Sequence, residues 1–357
     1  MNPKIIIIGA GPAGLYLAFL LAKSKKNVTV LEENKDLGKP VHCTGIVTSE
    51  IEDFLDIPNS LIQNTITNVE LTAGKKKILF PLKEPNYVLD REKFDRHLAK
   101  KAEDAGAKIK KDRKVIRVRK RANDYMIFTE KESFETDIVV GAEGWNSITA
   151  KWLGLRINKE VMPGLQVIAK KPLKDKYKVR FWFCNNCIKW IVPISETTSK
   201  IGIAGGMIKI KDLDEFLWEL NIQKADCKEY FGGFIPIFTY FGKRSMQNAY
   251  LIGDSAGFVK ATTGGGIIPA LKSARCCCDA IMLQKNYEKL WKKHLLMEMI
   301  LHKKINRAIA KMDEKALEAL FIENIRLLSK ESRDNVSKWM LKPIMNPKNW
   351  RLFRYFF

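Results

Sequence analysis

The chain has 357 residues, 46% of them hydrophobic and 29% charged, which excludes a disordered or fibrous protein and leaves length for two subdomains around a large core. With 62 Lys and Arg against 40 Asp and Glu the formal net charge is +22, so an anionic partner surface is expected, phospholipid headgroups or nucleic acid, with a merely lysine-rich solvated surface as the plain alternative. Seven cysteines are too few for a disulfide scaffold, and with no signal-peptide pattern at the start they fit a reducing cytosol.

The first element is Lys4–Glu33, which reads as strand, glycine turn, helix and second strand. The unbroken apolar run Ile5–Ile8 is expected of a strand buried on both faces of a parallel sheet. Gly9, Gly11 and Gly14 then form G-x-G-x-x-G, whose glycines serve a tight turn, the approach of a pyrophosphate and close helix packing. Pro12 suits the first helical turn, which would aim its positive end at phosphates. The second strand, Val28–Leu31, ends at Glu32, about 20 residues past the glycines, where a carboxylate can accept from ribose hydroxyls. An adenine dinucleotide site is the reading. A membrane span of the same length is argued against by the three glycines, the proline and the carboxylate that follows.

Gly38 and Pro40 break the chain before the polar turn His42-Cys43-Thr44-Gly45, and a helix capped by Thr48 or Ser49 should follow. From pattern alone the histidine and thiol read as structural, a catalytic use being the sharper alternative. Short alternating strands from Leu61 to Val88 suggest an antiparallel insertion, and Asp90 should cap a helix that buries Phe94, Leu98 and Ala102 and stops at Gly106. Arg91, in the first turn of that helix, is placed either to reach dinucleotide phosphates or to face solvent. The basic run Lys110–Arg121 lacks the aromatic platforms of a nucleic-acid groove and reads as a solvated strand face.

Ile138–Val140 is another buried strand, leading into Glu143-Gly144 and Ser147. Strands dominate Met162–Gly206. Within them Cys184 and Cys187 flank Asn185-Asn186 in a two-residue hairpin turn; two free thiols are expected there, a cross-hairpin disulfide being the alternative. No second ligand pair exists for zinc, and no metal is expected. A short helix follows at Asp212–Leu220. Ala249–Ile252 returns as a strand ending in Gly253-Asp254, and Gly264, Gly265 and Gly266 place bare N–H groups at the start of a helix, which suits negative charge. In that helix Cys276–Cys278 point in three directions and read as small core residues. Beyond Tyr287 the chain is helical and basic.

Together GAGPAG with Glu32, KPVHCTG, YVLDREKFDRHL, DIVVGAEGWNS, KWIVP with IGIAGG, and LIGDSAGFVKATTGGGI resemble the geranylgeranyl reductase family, FAD-dependent flavoproteins of the para-hydroxybenzoate hydroxylase class. The chain departs from that pattern with Glu143 for an aspartate, Lys151 for an arginine and Ile188 for an aromatic. The resemblance implies an α/β fold: a glutathione-reductase-type Rossmann FAD-binding domain (1–60, 88–155 and 242–285), an inserted antiparallel β-sheet substrate domain (61–87 and 156–241) and a helical C-terminal region (286–357). It implies FAD contacts from Gly9, Gly11, Ala13, Gly14, Glu32, Glu33 and Arg91, from Cys43, Gly45, Glu143 and Gly144, and from Gly253, Asp254, Gly264, Gly265, Gly266 and Ile267. Cys43 is the candidate catalytic residue beside the flavin, and Trp190, Pro193 and Phe181 are candidate substrate contacts. The implied reaction is reduction of isolated prenyl double bonds on a geranylgeranyl phospholipid or diphosphate. Electrons would come from ferredoxin or NAD(P)H, since one dinucleotide fingerprint leaves no dedicated nicotinamide domain. The expected location is cytoplasmic, peripheral at the inner face of the membrane, aided by the aromatic and basic tail after Lys338. A flavin monooxygenase or halogenase of the same fold is the nearest rival. A basic RNA-binding flavoprotein is the rival from another class, although no nucleic acid is expected.

Overall fold

In the computed structural model residues 3–155, 157, 160–184 and 187–320 are described. β1 (Lys4–Ile8) buries all four of its isoleucines, so its sequence cannot alternate. Along the chain follow α1 (Pro12–Lys23), β2 (Asn27–Leu31), β3 (Ile46–Thr48), β4 (Ile62–Ala73), β5 (Lys76–Leu89), α2 (Arg91–Asp104), β6 (Lys108–Lys110), β7 (Val115–Lys120), β8 (Tyr125–Thr129), β9 (Ser133–Thr136), β10 (Ile138–Gly141) and α3 (Ile148–Trp152). The second half carries β11 (Glu160–Lys170), β12 (Lys178–Cys184), β13 (Cys187–Pro193), β14 (Thr198–Gly205), α4 (Ile210–Glu219), β15 (Cys227–Ile237), β16 (Ser245–Met246), β17 (Ala249–Leu251), α5 (Ile267–Leu283), α6 (Tyr287–Trp291), a π-helical turn (Lys292–Leu296), α7 (Met297–Lys311) and a helical stretch at 314–320.

These elements form two compact units. The first comprises Met1–Val41, Arg91–Glu160 and Pro236–Ile300. Its six-stranded sheet has the order β16-β17-β10-β1-β2-β6, parallel except for the edge strand β16. Helix α1 packs against α2 and α5. In the separate β7-β8-β9 sheet, β7 buries Val115 and Val118 and exposes Arg117, Arg119 and Lys120, a solvated basic face.

The second unit comprises His42–Asp90, Val161–Ile235 and the described residues from Leu301. Its eight strands run β15-β11-β14-β13-β12-β4-β5-β3. One face packs Val69, Phe80, Val179 and Val192 against Ala308 and Met312, and the other packs Val167, Ile191 and Ile201 against Leu213 and Phe216 of α4. Beside shifts of a few residues at the other boundaries, two stretches lie elsewhere than in the expected division. Residues 42–60 join the β-rich unit because β3 pairs with β5, and the chain after 286 is shared between the units instead of standing apart. The expected short strands of 61–88 are two long ones, since β4 and β5 pair along nearly their whole length. The helix expected after Thr48 is a single 3-10 turn, Ser49–Asp53. Among the described residues no helix is long and apolar enough to cross a membrane.

Cys184 and Cys187 are joined in a disulfide, which corrects the expectation of two free thiols. The register pairs them directly across the hairpin with Cα atoms 5.1 Å apart, inside the reach of the bond. The turn Asn185-Asn186 lies outside the described residues.

The triplet on α5 is buried as expected. Burial pushes the Cys276 thiol up to about 12, Cys278 up to about 11 and Cys277 well above its ordinary value. The folded state therefore holds these protons more tightly than the unfolded chain, so this contribution to stability is complete below the ordinary thiol pKa and is lost as pH rises towards 12. The urea midpoint should fall between pH 8 and pH 10.5, and less so in a Cys276→Ala/Cys278→Ala variant. Unfolded without reductant, the protein should titrate five thiols, and all seven after reduction.

Candidate functional site

The first unit gathers a cradle at the C-terminal ends of its parallel strands. Gly9 leaves β1 at φ +103, and a Cβ there would lie 2.5 Å from the Ala142 carbonyl oxygen. A Cβ on Gly14 would collide with the Gly9 carbonyl oxygen. Around the position of a Cβ on Gly11 there is no heavy atom within 4 Å, so two glycines close the packing and the third opens to space. Glu32 stands beside them with Oε2 accepting from Ala10 N at 2.7 Å and Oε1 accepting from Asn34 N and Nδ2 at 2.9 and 2.8 Å. A carboxylate accepts about four hydrogen bonds, so Oε2 retains capacity for a ribose hydroxyl. Glu33, next in sequence, is exposed. The Arg91 guanidinium donates through Nη2 to both oxygens of Asp95 at 3.0 Å. Burial pushes the Asp95 carboxyl up, Arg91 opposes that, and the Glu32 charge is close enough to add to it.

The later glycine motifs reach the same cradle. Gly253, at φ +56, donates its N–H to Ser273 Oγ at 2.9 Å, and a Cβ on it would lie 2.9 Å from Ala13 Cβ. Asp254 Oδ1 is 2.9 Å from where a Cβ on Gly266 would be, and Gly266 is the N-cap of the 17-residue helix α5. The turn after β17 therefore meets the starts of both α1 and α5. Two helix N-termini and an open glycine give the room and positive ends a pyrophosphate requires, so the residues fit a dinucleotide. Ile267 is buried in the first turn of α5.

Glu143, an expected cofactor contact, is held by side chains around it. Its carboxylate accepts from Ser147 Oγ at 3.0 Å, Thr149 N at 2.8 Å and Ser255 Oγ at 3.2 Å, tying the loop after β10 to the turn after β17. Gly144, next in the chain, takes φ +82.

Sequence reasoning did not single out Lys260. It is only 4% exposed, and its Nζ lies 3.3 Å from where a Cβ on Gly265 would be, which puts an ammonium group against the glycine loop. The signal was a single lysine within the otherwise neutral GFVKATTGGG.

In the second unit, Cys43 Sγ accepts from Gly45 N at 3.3 Å, and Gly45 takes φ +83. Thr44 Oγ1 donates to Gln166 Oε1 at 2.9 Å. Lys200, 3% exposed and also not singled out in advance, donates to the Thr44 carbonyl at 2.9 Å and to Gln63 Oε1 at 3.3 Å. A side chain from β14 and one from β11 thus fix the cysteine turn. On the same face Trp190 lies flat over Gly202: a Cβ there would be 2.5 Å from indole Cε2 and 2.7 Å from Gln166 Cβ. The buried Trp190 Nε1 has no partner among the described residues. Phe181 pairs with Trp190 across β12 and β13, while the Pro193 carbonyl is taken by Asn64 Nδ2 at 3.0 Å.

A family model described as pyridine nucleotide-disulphide oxidoreductase matches residues 6–160. The digeranylgeranylglycerophospholipid reductase of Methanocaldococcus jannaschii is 28% identical, covering 88% of this chain and 89% of its own. An uncharacterized protein of Methanosarcina barkeri is 30% identical across 78% of this chain and 74% of its own. Among solved structures, a geranylgeranyl bacteriochlorophyll reductase-like protein of Thermoplasma acidophilum superposes with TM-score 0.83 over 99% of both chains at 22% identity.

Replacing Lys200 with Met should leave the Thr44 carbonyl unsatisfied, at a cost of roughly 1–3 kcal/mol. Denaturant unfolding measures that loss, and a faster alkylation of Cys43 by iodoacetamide in the folded state would report that the turn has loosened.

Proposed function

From the premise that this chain belongs to the geranylgeranyl reductase family, we propose that it is an FAD-dependent reductase that hydrogenates isolated double bonds of geranylgeranyl chains in membrane lipid precursors. The observation that carries this reading is the extent of the likeness to a digeranylgeranylglycerophospholipid reductase, 88% of one chain and 89% of the other.

Gly9, Gly11, Ala13, Gly14, Glu32 and Arg91 would hold the ADP half of FAD, with Asp95 holding the Arg91 guanidinium. Asp254 and the start of α5, Gly264–Ile267, would hold the flavin half. A helix N-terminus favours an anion by about 0.3–1 kcal/mol, and up to ~2 when partly buried, and the Lys260 ammonium adds to it. When bound and reduced, FAD supplies the hydride for one carbon of the double bond. The Cys43 Sγ–H is the proposed proton source for the other carbon. Lys200 and Gln166 hold the backbone and hydroxyl of Thr44, which fixes the direction of the neighbouring thiol. Trp190 and Phe181 would line the path of the prenyl chain, an apolar wall that keeps water from the reacting carbons.

Electrons would come from a transiently bound ferredoxin or from NAD(P)H. An anionic lipid headgroup would suit the net charge of +22, and the substrate would place the enzyme at the inner face of the membrane. The aromatic and basic tail after Lys338, proposed to assist, lies outside the described residues.

The purified protein should be yellow, release FAD on denaturation and, when reduced, add two hydrogens per double bond to a C20 prenyl lipid, read by mass spectrometry. Asp254→Ala should weaken FAD retention at least tenfold. Full occupancy in that variant would mean the flavin half is held elsewhere. Rapid formation of a hydroperoxyflavin spectrum when the reduced enzyme meets oxygen and an aromatic substrate would favour the monooxygenase reading instead.

A further inference from the structure

The segment from Phe238 to Ser245 is organised around a cation. Arg244 is 0% exposed, and its guanidinium donates from Nη2 to the Thr239 carbonyl at 2.6 Å, from Nη1 to the Gly242 carbonyl at 3.3 Å and from Nε to the Ala256 carbonyl at 3.0 Å. Its central carbon lies 4.5 Å from the Trp291 ring centroid and 5.1 Å from those of Phe238 and Phe258. Glu288 locks the same segment to α6: Oε1 accepts from Arg244 N at 2.6 Å and Ser245 N at 3.0 Å, and Oε2 from Trp291 Nε1 at 2.7 Å. Both charges are spent inside the unit.

The carbonyls on either side of Tyr240-Phe241 are thereby pinned to one buried group, and the two residues between them are held outward. Tyr240 is 50% exposed and Phe241 78%, and their rings meet edge to face with centroids 5.7 Å apart. A loose loop could fold such rings against the body of the protein; this one is clamped so that they stay out. On this segment, on α6 and on the turn after it, the exposed charged side chains are lysines. Lys292 Nζ lies 5.9 Å from the Tyr240 ring centroid, Lys243 precedes the buried arginine, and Lys289 and Lys293 are exposed on α6 and the turn after it. The α6 carboxylate that could neutralise them, Glu288, faces Arg244, Ser245 and Trp291 instead.

We propose that the Tyr240-Phe241 crest and its lysine collar form a docking surface for an anionic lipid bilayer. Aromatic rings favour the headgroup region, where an apolar body and a polar edge are both accommodated. Lysines beside them meet the lipid phosphates, each contributing about fivefold in binding to an anionic leaflet. The combination separates this surface from a purely electrostatic one. An acidic protein would be served by the lysines alone, and a single-stranded RNA stacks its bases on rings spaced along a basic groove, whereas these two rings meet edge to face at a single crest. The proposal deepens the lipid-reductase reading by naming where the protein meets lipid, although its argument rests on contacts within the first unit.

The test is sedimentation of the full-length protein with vesicles of phosphatidylglycerol or of phosphatidylcholine, both free of prenyl lipid. Wild-type protein should bind the anionic vesicles at least tenfold more tightly than the zwitterionic ones. Tyr240→Ser/Phe241→Ser and Lys292→Glu/Lys293→Glu should each lose at least tenfold of that binding, with unchanged FAD content and unchanged turnover of detergent-dispersed substrate. Binding by Tyr240→Ser/Phe241→Ser within twofold of wild type would overturn the proposal, as would binding lost only on truncation at Lys338. Retention on RNA or an acidic protein with none on vesicles would overturn it too. If the reductase reading itself fails, turnover is absent in detergent while vesicle binding still reports on the crest, so the two failures are distinguishable.

Discussion

The close approach of α1 to the end of β1 is the constraint on which the first unit depends. It is possible because Gly14 presents no side chain to the Gly9 carbonyl and Gly9 presents none to the Ala142 carbonyl. Three strand ends and a helix N-terminus are thereby drawn within a few ångströms. A methyl group at either position would push the helix away from the sheet, and with it the row of N–H groups that suits a phosphate. The same economy recurs at Gly253, whose missing side chain admits Ala13 and so brings a turn some 240 residues downstream against the first glycine loop. The cradle is a product of packing, and its chemistry follows from the empty volume that packing leaves.

That constraint is also why so much of the first unit could be read from sequence. Buried parallel strands announce themselves as unbroken β-branched runs, and glycines forced by contact recur at fixed spacing, so β1, α1, β2, β10, β17 and the start of α5 were all legible. The second unit was less so. Its strands are covered on both faces only in part, their alternation is broken by bulges such as those between Ile62 and Asn64 and between Ile66 and Asn68, and two long strands looked like several short ones. The joining of Cys184 and Cys187 was not decided by spacing either, because it depends on which residues face each other across a hairpin, and a shift of one residue would have turned the two thiols to opposite faces.

At the site, composition told less than placement. Glu143 stands out in sequence as a glycine-flanked acid after a buried strand; that Ser147, Thr149 and Ser255 all donate to it is visible only in the fold. Lys200 and Lys260 looked like two more members of a large basic population, and their burial is what sets them apart. A lysine loses hydration on burial and must be repaid by oxygen atoms or by a nearby anion. Lys200 finds the Thr44 carbonyl and Gln63, and so becomes a strut beneath a cysteine turn.

Arg244 completes the contrast and shows that net charge is a poor guide to what a cation does. Burial pulls its guanidinium down to about 10, yet it stays a cation at neutral pH, and three carbonyls with three aromatic rings take the place of water around it. An arginine so enclosed could have been replaced by packed aliphatic side chains at similar stability. Aliphatic packing would leave the Thr239 and Gly242 carbonyls to find other donors, and the segment between them could then relax onto the protein. A planar fork that grips backbone on both sides of two aromatic residues fixes their direction, which apolar packing cannot do. The geometry therefore favours a role in shaping the surface over a role in stability alone, and the fold uses a buried charge to keep two apolar rings in the solvent.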